Sequence, residues 1–132
     1  MKTVFTDKAP AAIGPYSQAM AVNGFLFASG QIGVDPASGR IEAADIAGQA
    51  EQACRNVGAV LSEAGTGFEN VVKTTCFLAD MADFAAFNAV AVYAKYFVSL
   101  PARSCVAVRE LPKGALCEIE VIAALGKGTV AS

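Results

Sequence analysis

Asp45-Ile-Ala-Gly-Gln-Ala-Glu-Gln-Ala-Cys-Arg-Asn-Val-Gly-Ala-Val-Leu-Ser-Glu-Ala-Gly65 is the stretch on which the fold turns. Ile46, Ala50, Ala53, Cys54, Val57, Val60 and Leu61 recur at the spacing of one helix face, with Asp45 placed to cap the start and Gly65 to stop the end. Before it the chain reads as strands over Lys2 to Thr6, Tyr16 to Val22 and Phe25 to Ser29, the last pair joined by the hairpin dipeptide Asn23-Gly24. After it Val71 to Leu78, rich in Val, Thr and Phe, reads as a buried strand. Asp80 or Asp83 then caps a second helix that runs to about Phe97, before Pro101, and carries Phe84, Phe87, Tyr93, Tyr96 and Phe97. Two strands close the chain, Ser104 to Leu111 and Leu116 to Leu125, joined by the turn residues Pro112-Lys113-Gly114. The order βββαβαββ predicts an α+β, or mixed α/β, fold in which a single sheet carries two helices on one face.

The chain has 132 residues, the length of one domain over 1–132. Hydrophobic residues make up 55% and charged residues 17%, too few for a monomer to cover itself with polar surface, and the sheet has a second face without helices. Self-association over that face answers both. Ten Lys and Arg against twelve Asp and Glu give a net charge of -2 with no cluster of one sign, which argues against a nucleic-acid or anionic-membrane partner. The chain has no histidine, which removes His-based triads and His metal sites together, so acid or base chemistry falls to Glu, Asp, Tyr, Lys or Cys.

Cys54, Cys76, Cys105 and Cys117 are spaced by 22, 29 and 12 positions, neither a redox pair nor a zinc spacing, so no metal is expected. Met1 to Gly14 carries Lys2, Asp7 and Lys8 and lacks the apolar run of a signal peptide, so free thiols in a reducing cytoplasm are expected. Residues 9 to 34 are uncharged, but Pro10, Gly14, Pro15, Asn23, Gly24 and Gly30 interrupt them and exclude a membrane helix. No GxGxxG follows a strand, and Gly126-Lys127-Gly128-Thr129 lacks the rest of a phosphate loop, so no nucleotide cofactor is expected.

Four stretches remain as candidates for chemistry: Gly14 to Gln18, Ser29 to Gln31, Ala102 to Cys105 and Cys117 to Glu120. Arg103, taken alone, reads as a surface or interface salt bridge. Along the last strand Cys117, Ile119, Val121 and Ala123 share one face, while Glu118, Glu120, Ile122 and Ala124 share the other. Glu120 reads as solvated, and for Glu118 solvation and function stand level. Cys105 shares a strand face with Arg103, and without a histidine base it reads as a packed thiol rather than a nucleophile. Tyr16 follows Gly14-Pro15 at a strand start, which suits a hydroxyl aimed into a cleft, and Ser29-Gly30 suits close backbone approach to a ligand.

Five stretches in order, Ile13 to Gln18, Ser29 to Ile32, Asn70 to Thr75, Pro101 to Val106 and Glu118 to Ala123, resemble the RidA family, the reactive intermediate deaminases also called YjgF-like proteins. The resemblance runs from about Lys2 to Ala124. It implies a chorismate-mutase-like fold, a homotrimer with clefts between subunits, and hydrolysis of 2-imino acids and their enamine tautomers to 2-keto acids and ammonia, without a cofactor. By the same resemblance Arg103 matches the arginine that binds the substrate carboxylate and Glu118 the glutamate that handles the attacking water. Tyr16, Ser29, Gly30 and Cys105 match residues lining the cleft. One departure stands out: where the family reads Asn-x-x-Tyr-x-x-Tyr-Phe, two extra residues separate Asn88 from Tyr93, which on a continuous helix turns Asn88 by about 200°.

The implied chemistry suits this residue inventory. Hydrolysis of a C=N bond needs a carboxylate anchor, a positioned water and one group that moves protons. A planar guanidinium holds a carboxylate bidentately, and a Glu desolvated in a cleft accepts a proton more readily. The same residues would serve a non-catalytic module that binds 2-keto acids as a sensor, while ribonuclease activity, attributed to some relatives, sits poorly with an acidic chain lacking histidine. A short connection at Pro112-Lys113-Gly114 requires the last two strands to run antiparallel, which sets Arg103 and Glu118 five residues, or about 17 Å, out of step. A substrate touching both is then expected to sit between subunits of a closed ring.

Overall fold

Asn23 and Gly24 both take left-handed backbone angles, φ 50° and 80°, as a type I′ turn requires, and they turn β2 (Ala19–Val22) into β3 (Phe25–Ala28). This is a computed structural model, and it describes residues 1–89 and 92–126; most of the Gly126 to Thr129 stretch lies outside them. β1 (Lys2–Val4) pairs antiparallel with β2 at one edge of the sheet. β4 (Val71–Leu78), β5 (Ala102–Ala107) and β6 (Cys117–Ala124) complete one six-stranded sheet in the order β1-β2-β3-β6-β4-β5. The strands fall close to the expected spans and give the α+β fold read from the sequence.

α1 (Ile46–Glu63) begins and ends where its capping residues place it. The Asp45 carboxylate accepts from the Gly48 N–H at 2.9 Å. At the other end Gly65, at φ 82°, donates to the Ser62 carbonyl, and the Thr66 N–H reaches the Leu61 carbonyl, a Schellman closure. The buried face of α1 is the predicted stripe, with Ala50, Ala53 and Cys54 fully excluded from solvent. It packs on β6, whose Cys117, Ile119, Val121 and Ala123 are buried while Glu118, Glu120, Ile122 and Ala124 stay half-open on the other face. That uncovered face carries Phe27 and Val106, both more than 40% exposed.

Three expectations are corrected. Tyr16 does not start a strand: β2 begins at Ala19, and the loop before it is pinned by the Gln18 amide, which bonds the backbone of Thr6 and Pro10. The second helix is not continuous. A 3-10 turn at Met81–Asp83, capped by Asp80, leads into α2 (Phe84–Phe87), and α3 (Tyr93–Tyr96) follows the two extra residues. The last two strands run in opposite directions as expected but are not neighbours, because β4 lies between them, parallel to β5 and antiparallel to β6. Among the described residues no helix is long and apolar enough to cross a membrane.

Candidate functional site

Arg103 lies on the edge strand β5, opposite Thr74 of β4, and is inside the strand rather than ahead of it. Thr74 is fully buried on the helix side, where its hydroxyl and that of Tyr93 hydrogen-bond at 2.8 Å. Arg103 therefore faces the helices. Its guanidinium carbon sits 4.8 Å from the Tyr93 ring centroid and 5.5 Å from that of Phe84, and Nη1 donates to the Asn88 Oδ1 at 2.6 Å. The aromatic rings and the amide oxygen hold the cation in place. The cleft around it, about 460 Å³, is lined by Asn88, Tyr93, Leu100, Pro101 and Arg103.

The broken helix explains how Asn88 takes part despite the longer spacing. On one continuous helix the extra residues would swing Asn88 away from Tyr93; with α2 ending at Phe87 and α3 starting afresh at Tyr93, both reach Arg103. Neither Tyr93 nor Phe84 was singled out as an Arg103 partner in the sequence. The signal that reveals them is the parallel pairing of Thr74 with Arg103, and no short turn announces a parallel neighbour.

Cys105 follows on the same face as Arg103, opposite Cys76, and is half-buried. Burial raises its thiol pKa, against the lowering pull of Arg103, so the thiol form is favoured. All four cysteines are free. Among the described residues no group of three or more His, Cys, Asp or Glu could hold a metal ion.

Glu118 belongs to the opposite face, opposite Phe77 on β4. The strand segment after β3 runs beside it: the Gln31 N–H donates to the Ile119 carbonyl at 2.8 Å, and the Ile119 N–H returns to Gln31 at 3.0 Å. This lays the Glu118 side chain directly on Gly30. A Cβ there would lie 2.5 Å from a Glu118 carboxylate oxygen, so any side chain at this position would displace the carboxylate from where it lies. Burial raises the Glu118 pKa, and the neighbouring charge of Glu120 raises it further. Ser29 donates its hydroxyl to the Ser17 carbonyl at 2.7 Å, which ties this segment to the one bearing Tyr16. Tyr16 and Gly30 line one hollow of about 480 Å³ with Ile13, Ile32, Pro112 and Lys113.

The candidate residues thus form two groups, not one. Glu118, Gly30, Ser29 and Tyr16 gather on one side, and Arg103 and Cys105 on the other with Asn88 and Tyr93. Within one chain Arg103 and Glu118 are three residues apart along β4, about 10 Å, with a strand step of about 4.8 Å on each side of it. Their side chains also leave the sheet in opposite directions. The five-residue offset of about 17 Å expected from a simple hairpin is corrected to this shorter register, and the two residues are kept apart by lying on opposite faces.

The sequence profile of the endoribonuclease L-PSP family matches residues 6–125. The chain belongs to this family. It is the RidA, or YjgF-like, family indicated by the sequence motifs. A RutC family protein of Synechocystis sp. is 55% identical over 128 residues, covering 95% of this chain and 97% of that protein. The 2-iminobutanoate/2-iminopropanoate deaminase of Bos taurus is 51% identical over 132 residues, covering 99% and 95% of the two chains. Among solved structures, E. coli TdcF with bound serine superposes with a TM-score of 0.89 at 41% identity, covering 96% of this chain and 100% of that one.

Proposed function

We propose that this protein hydrolyses reactive 2-imino acids, such as 2-iminobutanoate and 2-iminopropanoate, and their enamine tautomers to 2-keto acids and ammonia. The proposal includes the assembly: a homotrimer in which Arg103, Cys105 and Asn88 of one subunit meet Glu118, Gly30, Ser29 and Tyr16 of the next. The observation that carries it is the complementarity of the two groups, a guanidinium clasped by aromatic rings and a carboxyl group with raised proton affinity, each incomplete alone. The name of the bovine relative supports the substrate class.

In this mechanism the Arg103 fork binds the substrate carboxylate and fixes C2 of the imine. A water attacks C2 as Glu118 removes one of its protons, and the C=N electron pair moves onto nitrogen. Glu118 returns that proton to nitrogen, giving the carbinolamine; it then takes the proton of the C2 hydroxyl and passes it to the amino nitrogen, so that the oxygen lone pair forms the keto C=O, the C–N bond breaks and ammonia leaves with Glu118 ionised again. Burial and the charge of Glu120 raise the Glu118 pKa, which makes the carboxylate a better proton acceptor than a solvated one. The Gly30 backbone lies directly against the Glu118 carboxyl. The family's description as endoribonuclease is not carried over, since the chain has no histidine and a net charge of -2.

The test is a coupled assay with a pyridoxal-phosphate-dependent dehydratase that releases 2-iminobutanoate from threonine. The protein should accelerate formation of 2-oxobutanoate and ammonia, and Arg103→Lys, which keeps charge but not the fork, should lose most of that acceleration. Binding of 2-oxobutanoate with no acceleration would replace the enzyme by a sensing module.

A further inference from the structure

α3 spans four residues, Tyr93–Tyr96, and closes with the Phe97 N–H on the Tyr93 carbonyl at 3.0 Å. A helix this short does not hold itself together, so its place must come from tertiary contacts. Its inner side is held by rings: Tyr93 stacks on Phe97 at 4.4 Å, and Phe68 meets Tyr96 and Phe97. Its outer side is held by one carboxylate on α1. Glu51 accepts from Lys95 at 2.7 Å and from the Tyr96 hydroxyl, and takes Arg55 of its own helix at 3.0 Å. It is the one acidic side chain that α1 directs onto α3 among the described ion pairs. Tyr93, at the other end of the same turn, is the ring beneath the Arg103 guanidinium.

We propose that Glu51 is a positioning residue for the site: by clamping Lys95 and Tyr96 it holds α3, and through α3 keeps Tyr93 under Arg103. The inference rests on the reading of Arg103 as the carboxylate anchor. Glu51 touches no substrate. Burial opposes its ionisation, but the hydrogen bonds from Lys95, Tyr96 and Arg55 prevail and bring its pKa to about 2, so the clamp is closed throughout the neutral range. The need for such a clamp follows from the interruption between α2 and α3. A continuous helix would carry Tyr93 on the backbone hydrogen bonds of the turn before it, whereas here the chain restarts at Tyr93 with Val92 outside the helical region at φ -124°, ψ -101°.

The test uses Glu51→Ala, Glu51→Gln and Lys95→Met in the full chain, with two readouts. The first is the Arg103 Nε–Hε resonance, which senses the ring current of Tyr93 whether or not the protein turns over any substrate. The second is the division between KM and kcat for 2-iminobutanoate. Glu51→Ala should move the resonance and raise KM about 3- to 10-fold with kcat nearly kept, because it loosens binding and leaves the proton-transfer group alone. Lys95→Met should do part of the same, the double variant should fall short of the product of the two, and Glu51→Gln should recover toward the parent. An unmoved Arg103 resonance, or a lowered melting temperature with KM unchanged and the resonance in place, overturns the proposal. A moved resonance with unchanged KM upholds the clamp and overturns Arg103 as the anchor.

Discussion

The two sides of the sheet hold their key residue by opposite means. Glu118 is fixed by backbone: it lies on a central strand, its neighbour Ile119 is locked to Gln31 by reciprocal hydrogen bonds, and Gly30 offers no side chain to yield. Arg103 is fixed by side chains on the outermost strand: an amide oxygen, the rings of Tyr93 and Phe84, and a short helix that is itself tethered from α1. A support made of backbone tolerates almost no change, while a support made of side chains can absorb two extra residues and still deliver its cation. The difference sets a side held by side chains, around Arg103, against a side held by backbone pairing, around Glu118.

The comparison breaks most decisively if both groups of one working site come from the same chain. Arg103→Ala and Glu118→Ala should each lower turnover by roughly 10²- to 10⁴-fold, the range for losing an anchor or a proton-transfer group. Each inactive protein keeps the side that the other lacks. After dissociation and reassembly of an equal mixture, activity should return to about a quarter of the parent, the chance that a heterologous interface draws one intact side from each neighbour. Demonstrably mixed oligomers that stay inactive would put both residues of a site on one chain.

The next largest effect is expected at Gly30. In Gly30→Ala the new Cβ meets the end of the flexible Glu118 side chain, not backbone, so the carboxylate swings aside and the fold remains. Turnover should fall about 10²-fold, the cost of displacing a catalytic group by an ångström, with a melting temperature close to the parent's. A variant that turns over normally would show that Glu118 works equally well in another position and that the rigid side is not rigid.

Most of the fold was legible in the sequence because its signals are local. Asp45 and Gly65 bound α1, Asn23-Gly24 makes a turn that only such a pair makes easily, and the alternation in β6 separates Glu118 from Ile119. What escaped was set by pairing across distance. β5 lies beside β4 and not beside β6, so the helix-side company of Arg103 depends on a parallel register that no turn residue encodes. The break between Phe87 and Tyr93 was visible only as a spacing two residues too long, and spacing alone does not say whether a helix rotates or stops.

Acid stability sharpens the contrast between the sides with a smaller effect. Glu118 has a folded pKa above its ordinary value, so within the window from that ordinary value up to the raised one the folded state holds the proton more than the unfolded state does. Stability then declines as pH rises through the window, and the full penalty is present above it. Glu118→Gln removes the ionisation. It should melt higher than the parent at pH 7 and level with it at pH 4, as measured by thermal unfolding at the two pH values. Glu51, with its pKa lowered, has the opposite sign: its contribution is present above its ordinary value and is lost as pH falls toward about 2. A Glu118→Gln protein less stable than the parent at pH 7 would mean that the charged carboxylate is satisfied by partners in the assembled cleft.

The smallest effect is expected at Cys105, and its smallness is informative. The thiol sits next to Arg103 on the same strand face, the setting in which a cation could turn a cysteine into a nucleophile. Burial outweighs that influence and keeps the group protonated. A protonated thiol is a poor nucleophile, and in the proposed mechanism the one carboxylate placed to take a proton, Glu118, is engaged with the attacking water. What remains is volume against the anchoring side, where the supports are side chains able to settle into the space that one sulfur leaves. Cys105→Ala should therefore keep kcat/KM within about threefold of the parent, in line with a single-atom truncation at a half-buried position. Alkylation of the wild-type thiol, which adds bulk instead of removing it, should inhibit far more than the alanine does. Equal and complete loss in both would make the sulfur a chemical participant and would overturn the proposed mechanism, in which only Arg103 and Glu118 act on the substrate.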